Sequence, residues 1–179
     1  MFFNRASMRL NGISGGKNMA LIAQSTVLPA PPEDVWDIIR DFNGHETWHP
    51  AVASSLIERG YLSDMVGCVR QFRLQDGAEL REQLLALSDA DHSFTYCLLE
   101  TPVPLFNYVA HVRLLPVTDG NATFWEWQAQ FDAPECQLDQ MRALVGNQII
   151  QAGFQAIHTL LGADGPSSTP QHHVAQVHE

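Results

Sequence analysis

The sequence predicts an α+β fold: a curved seven-stranded antiparallel sheet wrapped around a long C-terminal helix, with two short helices after the first strand. Three observations carry this. Six consecutive segments between residues 52 and 133 are strand-like and largely alternate polar and apolar, joined by connections of hairpin length. A single long segment of helical period, 136–162, closes the chain. A proline-led amphipathic helix interrupts the strands after the first. A meander of that length must curl, and the apolar helix is there to fill its concave side.

Each element has its own signal. ALIAQSTVL (20–28) alternates and reads as a strand. In PAPPEDVWDIIRDF, Pro31 and Pro32 pre-set helical dihedrals, and Glu33 and Asp34 suit a helix N-terminus. Val35, Ile38, Ile39 and Phe42 then share one buried face. The next stretch, GHETWHP, spells H-E-x-x-H, a zinc-peptidase pattern. That chemistry needs a real helix and a third ligand. Gly44 and Pro50 bracket the segment with helix breakers, and no third-ligand context follows. The plain reading is a short helix ending at a turn, with Trp48 packed inward and no metal bound.

Strands are expected over 52–60, 67–74, 78–88, 92–100, 106–117 and 122–133. Gln75-Asp76-Gly77 and Thr118-Asp119-Gly120-Asn121 are the strongest turns. In the C-terminal helix, Leu138, Met141, Val145, Ile149 and Ala152 form one apolar side. Ile150, Phe154, Ile157 and Leu161 form the adjoining one, and Gly162 stops the helix.

Domain organisation is simple. Residues 1–19 read as a loose leader with an alternative start at Met19, 20–162 as one domain, and 163–179 as a disordered tail. A net charge of −10 argues against nucleic acid and anionic membranes as partners. No run approaches a membrane span. Cys68, Cys97 and Cys136 are widely spaced and read as reduced thiols of a cytoplasmic protein. Nothing calls for a cofactor, and an oligomer is not predicted.

Alternation assigns the inward face of two strands. Trp125, Trp127, Ala129 and Phe131 point in from the last strand, and Tyr108, Ala110, Val112 and Leu114 from the one before. The strands over 67–74 and 78–88 are undecided by alternation. Cys68, Arg70, Phe72 and Leu74 oppose Val69, Gln71 and Arg73, and Leu80, Glu82, Leu84 and Ala86 oppose Arg81, Gln83, Leu85 and Leu87.

The element order and several strings resemble the START/Bet v 1-like (SRPBCC) superfamily, the helix-grip fold. Its bacterial members are labelled polyketide cyclase/dehydrase and lipid-transport proteins. The strings are VLPAPPEDVWDIIRDF, WHP, VGCVR, REQLLALSD and YVA, within residues 20–162. In this superfamily a Trp followed by Pro closes the second short helix, so the resemblance places His45 and Glu46 toward water and His49 near a cavity mouth. VGCVR, E-x-L and NY are also similar to the plant abscisic-acid receptors. That similarity implies that Glu82, Tyr108 and Arg70 face the cavity. Ala53 stands where the receptors have a lysine, LQDGAE where they have a gate, and TPVPLFN where they have a latch. Those departures argue against the hormone, and against a carboxylate ligand held by lysine.

The expected function is binding or transport of an apolar small molecule, such as a lipid, isoprenoid or aromatic polyketide. The candidate ligand-binding residues are Glu82, Tyr108, Arg70, Phe72, Trp127, Trp125, His49, Phe106 and Phe154. A Glu82–Arg70 pair holding adjacent strands is the plain alternative for those two. Core packing is the alternative for Trp125, Trp127 and Phe154. Leu105 and Phe106, on the proline-stiffened loop 101–107, suit a lid over an apolar mouth, at the same end as Gln75–Ala78. The competing function is a cyclase or dehydratase in which Glu82, Tyr108 or His49 moves a proton.

Overall fold

The computed structural model describes residues 17–163. Seven antiparallel strands form one sheet in the order β1-β7-β6-β5-β4-β3-β2. They are β1 (Lys17–Leu28), β2 (Val52–Ile57), β3 (Val69–Leu74), β4 (Glu79–Ser88), β5 (Ser93–Glu100), β6 (Phe106–Val117) and β7 (Ala122–Pro134). Helices α1 (Pro32–Ile39) and α2 (His45–Trp48) lie between β1 and β2. The expected fold class is therefore the observed one. Residues 1–16 of the expected leader and the tail over 164–179 lie outside the described residues. β1 starts at Lys17, ahead of its expected start, because Lys17, Asn18 and Met19 pair with Pro134, Ala133 and Asp132.

The turns form as their chemistry dictates. Gly77 adopts a positive φ of 90°, and the Ala78 N–H donates to Asp76 Oδ1 at 3.0 Å. β2 ends earlier than expected: Glu58–Gly60 coil into a 3₁₀ turn, with Arg59 and Gly60 both at positive φ.

α1 starts at Pro32, and Pro32, Val35, Trp36 and Ile39 are buried. Its outer end is tied to the β4–β5 turn. Arg40 Nε donates to Asp89 Oδ1 at 2.6 Å and Trp36 Nε1 donates to the same oxygen at 2.9 Å. Those two donors, Arg40 first, hold the Asp89 carboxyl down to about 2.

The C-terminal helix is continuous but not uniform. α3 (Leu138–Ala143) leads into a π-helical stretch (Leu144–Gln151) and then α4 (Ala152–Ala163). Met141, Val145, Ile150, Phe154 and Ile157 are its buried residues of bulk. The step of five from Val145 to Ile150 is the wider π turn, which keeps one face on the sheet. The two adjoining apolar sides expected from the sequence are thus one face with a residue inserted. The helix also runs through Gly162 to Ala163 instead of stopping there. No helix among the described residues is long and apolar enough to cross a membrane.

Inward faces follow alternation in β6 and β7, where Tyr108, Ala110, Val112, Leu114, Trp125, Trp127, Ala129 and Phe131 are buried. In β3 and β4, Arg70, Phe72, Glu82 and Leu84 are buried. A bulge between Leu84 and Ala86 reverses the parity beyond it. Ala86, expected inward, is exposed, and Leu87 packs against the core in its place.

Candidate functional site

The concave side of the sheet is filled unevenly. Toward β7, Trp125 and Trp127 stack with ring centres 5.8 Å apart, and Phe154 meets Trp125 edge-on at 4.8 Å. This aromatic block packs under α4. Toward β3–β6, the space between sheet and helix stays open as a cavity of about 400 Å³. That is the size range of small-molecule pockets.

Its walls are mostly apolar. β3 to β6 supply Phe72, Leu80, Leu98 and Tyr108, and the π-helical stretch supplies Leu144, Gln148 and Ile149. The mouth lies between the β3–β4 turn, with Gln75, Asp76 and Ala78, and the β5–β6 loop, with Thr101, Pro102, Val103 and Leu105. Both loops meet at one end of the sheet, as strand parity requires. Only half of the expected lid pair takes part. Leu105 is buried, whereas Phe106 is a partly exposed residue of β6 and does not border the cavity. Phe106 pairs with Asp132, which lies between the inward Phe131 and Ala133 and so faces out. A bulge then separates Phe106 from Val109, with Asn107 at φ 51°.

The buried carboxylate inside is Glu82. Arg70 is its direct cross-strand partner and donates from Nε at 2.8 Å and Nη2 at 2.5 Å, both to Oε2. Arg70 Nη1 donates to the Phe42 carbonyl at 2.6 Å, and the guanidinium lies 4.0 Å from the centre of the Phe42 ring. Burial pushes the Glu82 carboxyl up, and the charge and hydrogen bonds of Arg70 oppose that rise. Tyr96 and Tyr108 stand beside this pair, ring centres 6.2 Å apart. Burial raises both phenols, each helped by the Glu82 charge, so both hydroxyls keep their protons. Tyr96 borders the cavity and was not singled out in the sequence. The alternation Phe94, Tyr96, Leu98 against Ser93, Thr95, Cys97 is the signal that could have found it.

The corner differs from its expected form in one respect. Glu46 faces solvent and accepts from the Ser55 N–H. His45, expected toward water, is buried and packs on Trp48, His49 and Phe72 at centroid distances of 4.9, 4.8 and 5.9 Å. A four-residue helix has no periodicity from which to read a face. His49 borders the cavity, but both its nitrogens have backbone partners. Nδ1 accepts from the Ala51 N–H at 3.2 Å, and Nε2 donates to the Ile149 carbonyl at 3.0 Å. The ring therefore straps the corner to the π-helical stretch. Among the described residues, no cluster of three metal-binding side chains includes this pair.

The cavity thus joins Glu82, Tyr108, Phe72 and His49, with Arg70 just behind Glu82. Trp125, Trp127 and Phe154 lie outside it, in the aromatic block.

Comparison with known proteins places this architecture. The profile described as polyketide cyclase/dehydrase and lipid transport matches residues 19–162. The chain belongs to this family. Among curated proteins, none matches the chain in sequence. Solved structures do. An uncharacterised Bacillus thuringiensis protein is 25% identical with a TM-score of 0.71, covering 79% of this chain and 98% of its own. A Thermobifida fusca protein is 26% identical with a TM-score of 0.72, covering 80% and 93%. A point mutant of norcoclaurine synthase from Thalictrum flavum, in complex with a transition-state analogue, is 13% identical with a TM-score of 0.64, covering 83% and 97%. That last likeness shows a shared fold alone, since so low an identity carries no chemistry.

Proposed function

We propose that this protein binds an apolar small molecule in the cavity between β3–β6 and the π-helical stretch. One observation carries the reading: a largely apolar cavity of about 400 Å³ with one buried carboxylate, Glu82, in its wall. The carboxylate gives a hydroxyl-bearing apolar ligand one oriented partner, and Tyr108 offers an O–H. Family membership supports the same use of the fold.

Native mass spectrometry of the purified protein, with solvent extraction, tests this. We expect a copurifying apolar molecule that is lost when Leu98→Trp fills the cavity. Protein that is empty and takes up no hydrophobic probe, or that takes one up equally well with Leu98→Trp, contradicts the proposal.

A second reading has one observation behind it. The raised Glu82 carboxyl is suited to carrying a proton, as a cyclase or dehydrase would need. Glu82→Gln separates the two. A carrier changes affinity only, whereas an enzyme loses turnover.

A further inference from the structure

Four buried polar atoms find no hydrogen-bond partner among the described residues: His45 Nδ1 and the Nε1 atoms of Trp48, Trp125 and Trp127. Such orphans are rare, and each one asks for an explanation. Here the four residues share a location. All of them border one small void of about 10 Å³, distinct from the large cavity. That volume is about what a single water molecule needs. Trp127 and Trp125 come from alternate positions of β7, while His45 and Trp48 come from the corner. The void therefore lies where the corner meets the sheet.

The chemistry of the four atoms restricts the occupant. Three are indole N–H groups, which only donate. The fourth is an imidazole nitrogen. Burial, then the nearby charge of Arg70, keeps that imidazole neutral, so Nδ1 is either one lone pair or one N–H. An occupant must accept from the indoles and satisfy His45 as well. A halide accepts but cannot donate to a lone pair. It would also meet Asp41, and the one cation on the void, Arg70, is already paired with Glu82. A water molecule accepts twice and donates twice.

We propose that this void is a built site for one internal water, which accepts from two of the three indole N–H groups and donates to His45 Nδ1. An unpartnered buried donor costs more than immobilising a water. The water then fixes the His45 tautomer: with Nδ1 accepting, the ring proton sits on Nε2. The same ring borders the large cavity. His45 thus carries an N–H toward the cavity wall, and two histidines one turn apart serve different purposes. His49 spends both nitrogens on backbone, while His45 keeps one as a donor. The water and the tautomer belong to the ligand-free protein and stand independently of the proposed function.

Solution NMR of the full ¹⁵N-labelled chain, without added ligand, tests both. We expect water–protein cross-peaks with the sign of a long-lived buried water at two of the indole N–H groups of Trp48, Trp125 and Trp127. Trp36 is the internal control, since its Nε1 already donates to Asp89. Long-range ¹H–¹⁵N spectra should show His45 protonated at Nε2 and bare at Nδ1. No water contact at any of the three indoles overturns the site, as do chloride-dependent shifts of those signals at fixed pH. A proton found on Nδ1 overturns the tautomer.

Discussion

Two nitrogens of Arg70 converge on a single oxygen of Glu82, with Nε at 2.8 Å and Nη2 at 2.5 Å from Oε2. Both residues are buried, and they face each other directly across β3 and β4. This side-on grip commits one carboxylate oxygen to the protein and leaves Oε1 outside the arginine's hold. The pair is at once a strand fastener and the polar element of the cavity.

Breaking it from one side should be costly. Arg70→Met leaves Glu82 buried beside apolar neighbours, and also removes the donor to the Phe42 carbonyl. We expect a loss of about 3–5 kcal/mol in urea unfolding. The double variant Arg70→Met/Glu82→Leu should recover much of it, because both buried charges then go together. A double variant no more stable than the single one contradicts this account.

The His45 donor gives a specificity test within the proposed ligand site. Benzophenone and diphenylmethane share a shape, but only the ketone has an acceptor. We expect calorimetry to show the ketone binding about 2–10-fold more tightly, the worth of one net hydrogen bond. The preference should shrink in His45→Phe to what the Tyr108 O–H supplies, and vanish in His45→Phe/Tyr108→Phe. Equal binding of the two by the unaltered protein means that no donor reaches the ligand.

Acid should weaken the fold in the range where histidines titrate. Burial lowers both His45 and His49 below the ordinary value of 6.5. The unfolded chain therefore takes up these protons at a higher pH than the folded one. Their contribution is complete above about pH 6.5 and falls as pH drops through the folded values, by up to ~1.4 kcal/mol per pH unit for each proton. Glu82 works with the opposite sign, since a raised carboxyl adds stability below its ordinary value and loses it as pH rises through the folded one. We expect the urea midpoint at about pH 5.5 to lie below that at about pH 7.5. A constant or rising midpoint in both the unaltered protein and Glu82→Gln, which removes the opposing group, would show that neither histidine is desolvated.

Two glycines of the C-terminal helix should respond differently to alanine. A Cβ on Gly153 would lie 3.0 Å from Trp127 Cζ3 and 3.4 Å from both His49 Cδ2 and Trp48 Cζ3. Those rings are packed and cannot yield. A Cβ on Gly146 would lie 3.0 Å from Gln24 Nε2, the far end of a flexible side chain whose Oε1 accepts from Gln151. We expect Gly153→Ala to destabilise by about 1–2 kcal/mol despite better helix propensity, and Gly146→Ala to be neutral or stabilising by up to about 1 kcal/mol. Thermal unfolding of the two variants, side by side, decides it.

Much of the site was legible in the chain, for local reasons. Tryptophans at 125 and 127 against Glu126 and Gln128 leave one choice of inward face. β3 and β4 offer no such contrast; the likeness to known families turned Glu82 and Arg70 inward, and both are buried, Glu82 in the cavity wall and Arg70 behind it rather than facing the cavity. The inserted residue of the π-helical stretch was visible only as an unusual spacing between Val145 and Ile150. Phe106 was read as a lid residue on the loop, whereas it opens β6 with a bulge after it, and Ala86 was misplaced because a bulge reverses parity without a composition of its own. His45 was misplaced because four helical residues have no face to read.

By itself, the sequence determined the sheet, its strand order in the chain, the turns and the gripping helix. Period, proline position and turn residues act over a few residues, and no distant partner is needed to read them. The tertiary structure alone decided where the sheet is filled and where it is hollow. That depends on which side chains from β7, the corner and the helix meet at one point. Trp125, Trp127 and Phe154 close one end, and the space left at the other is a property of their packing together, carried by none of them singly.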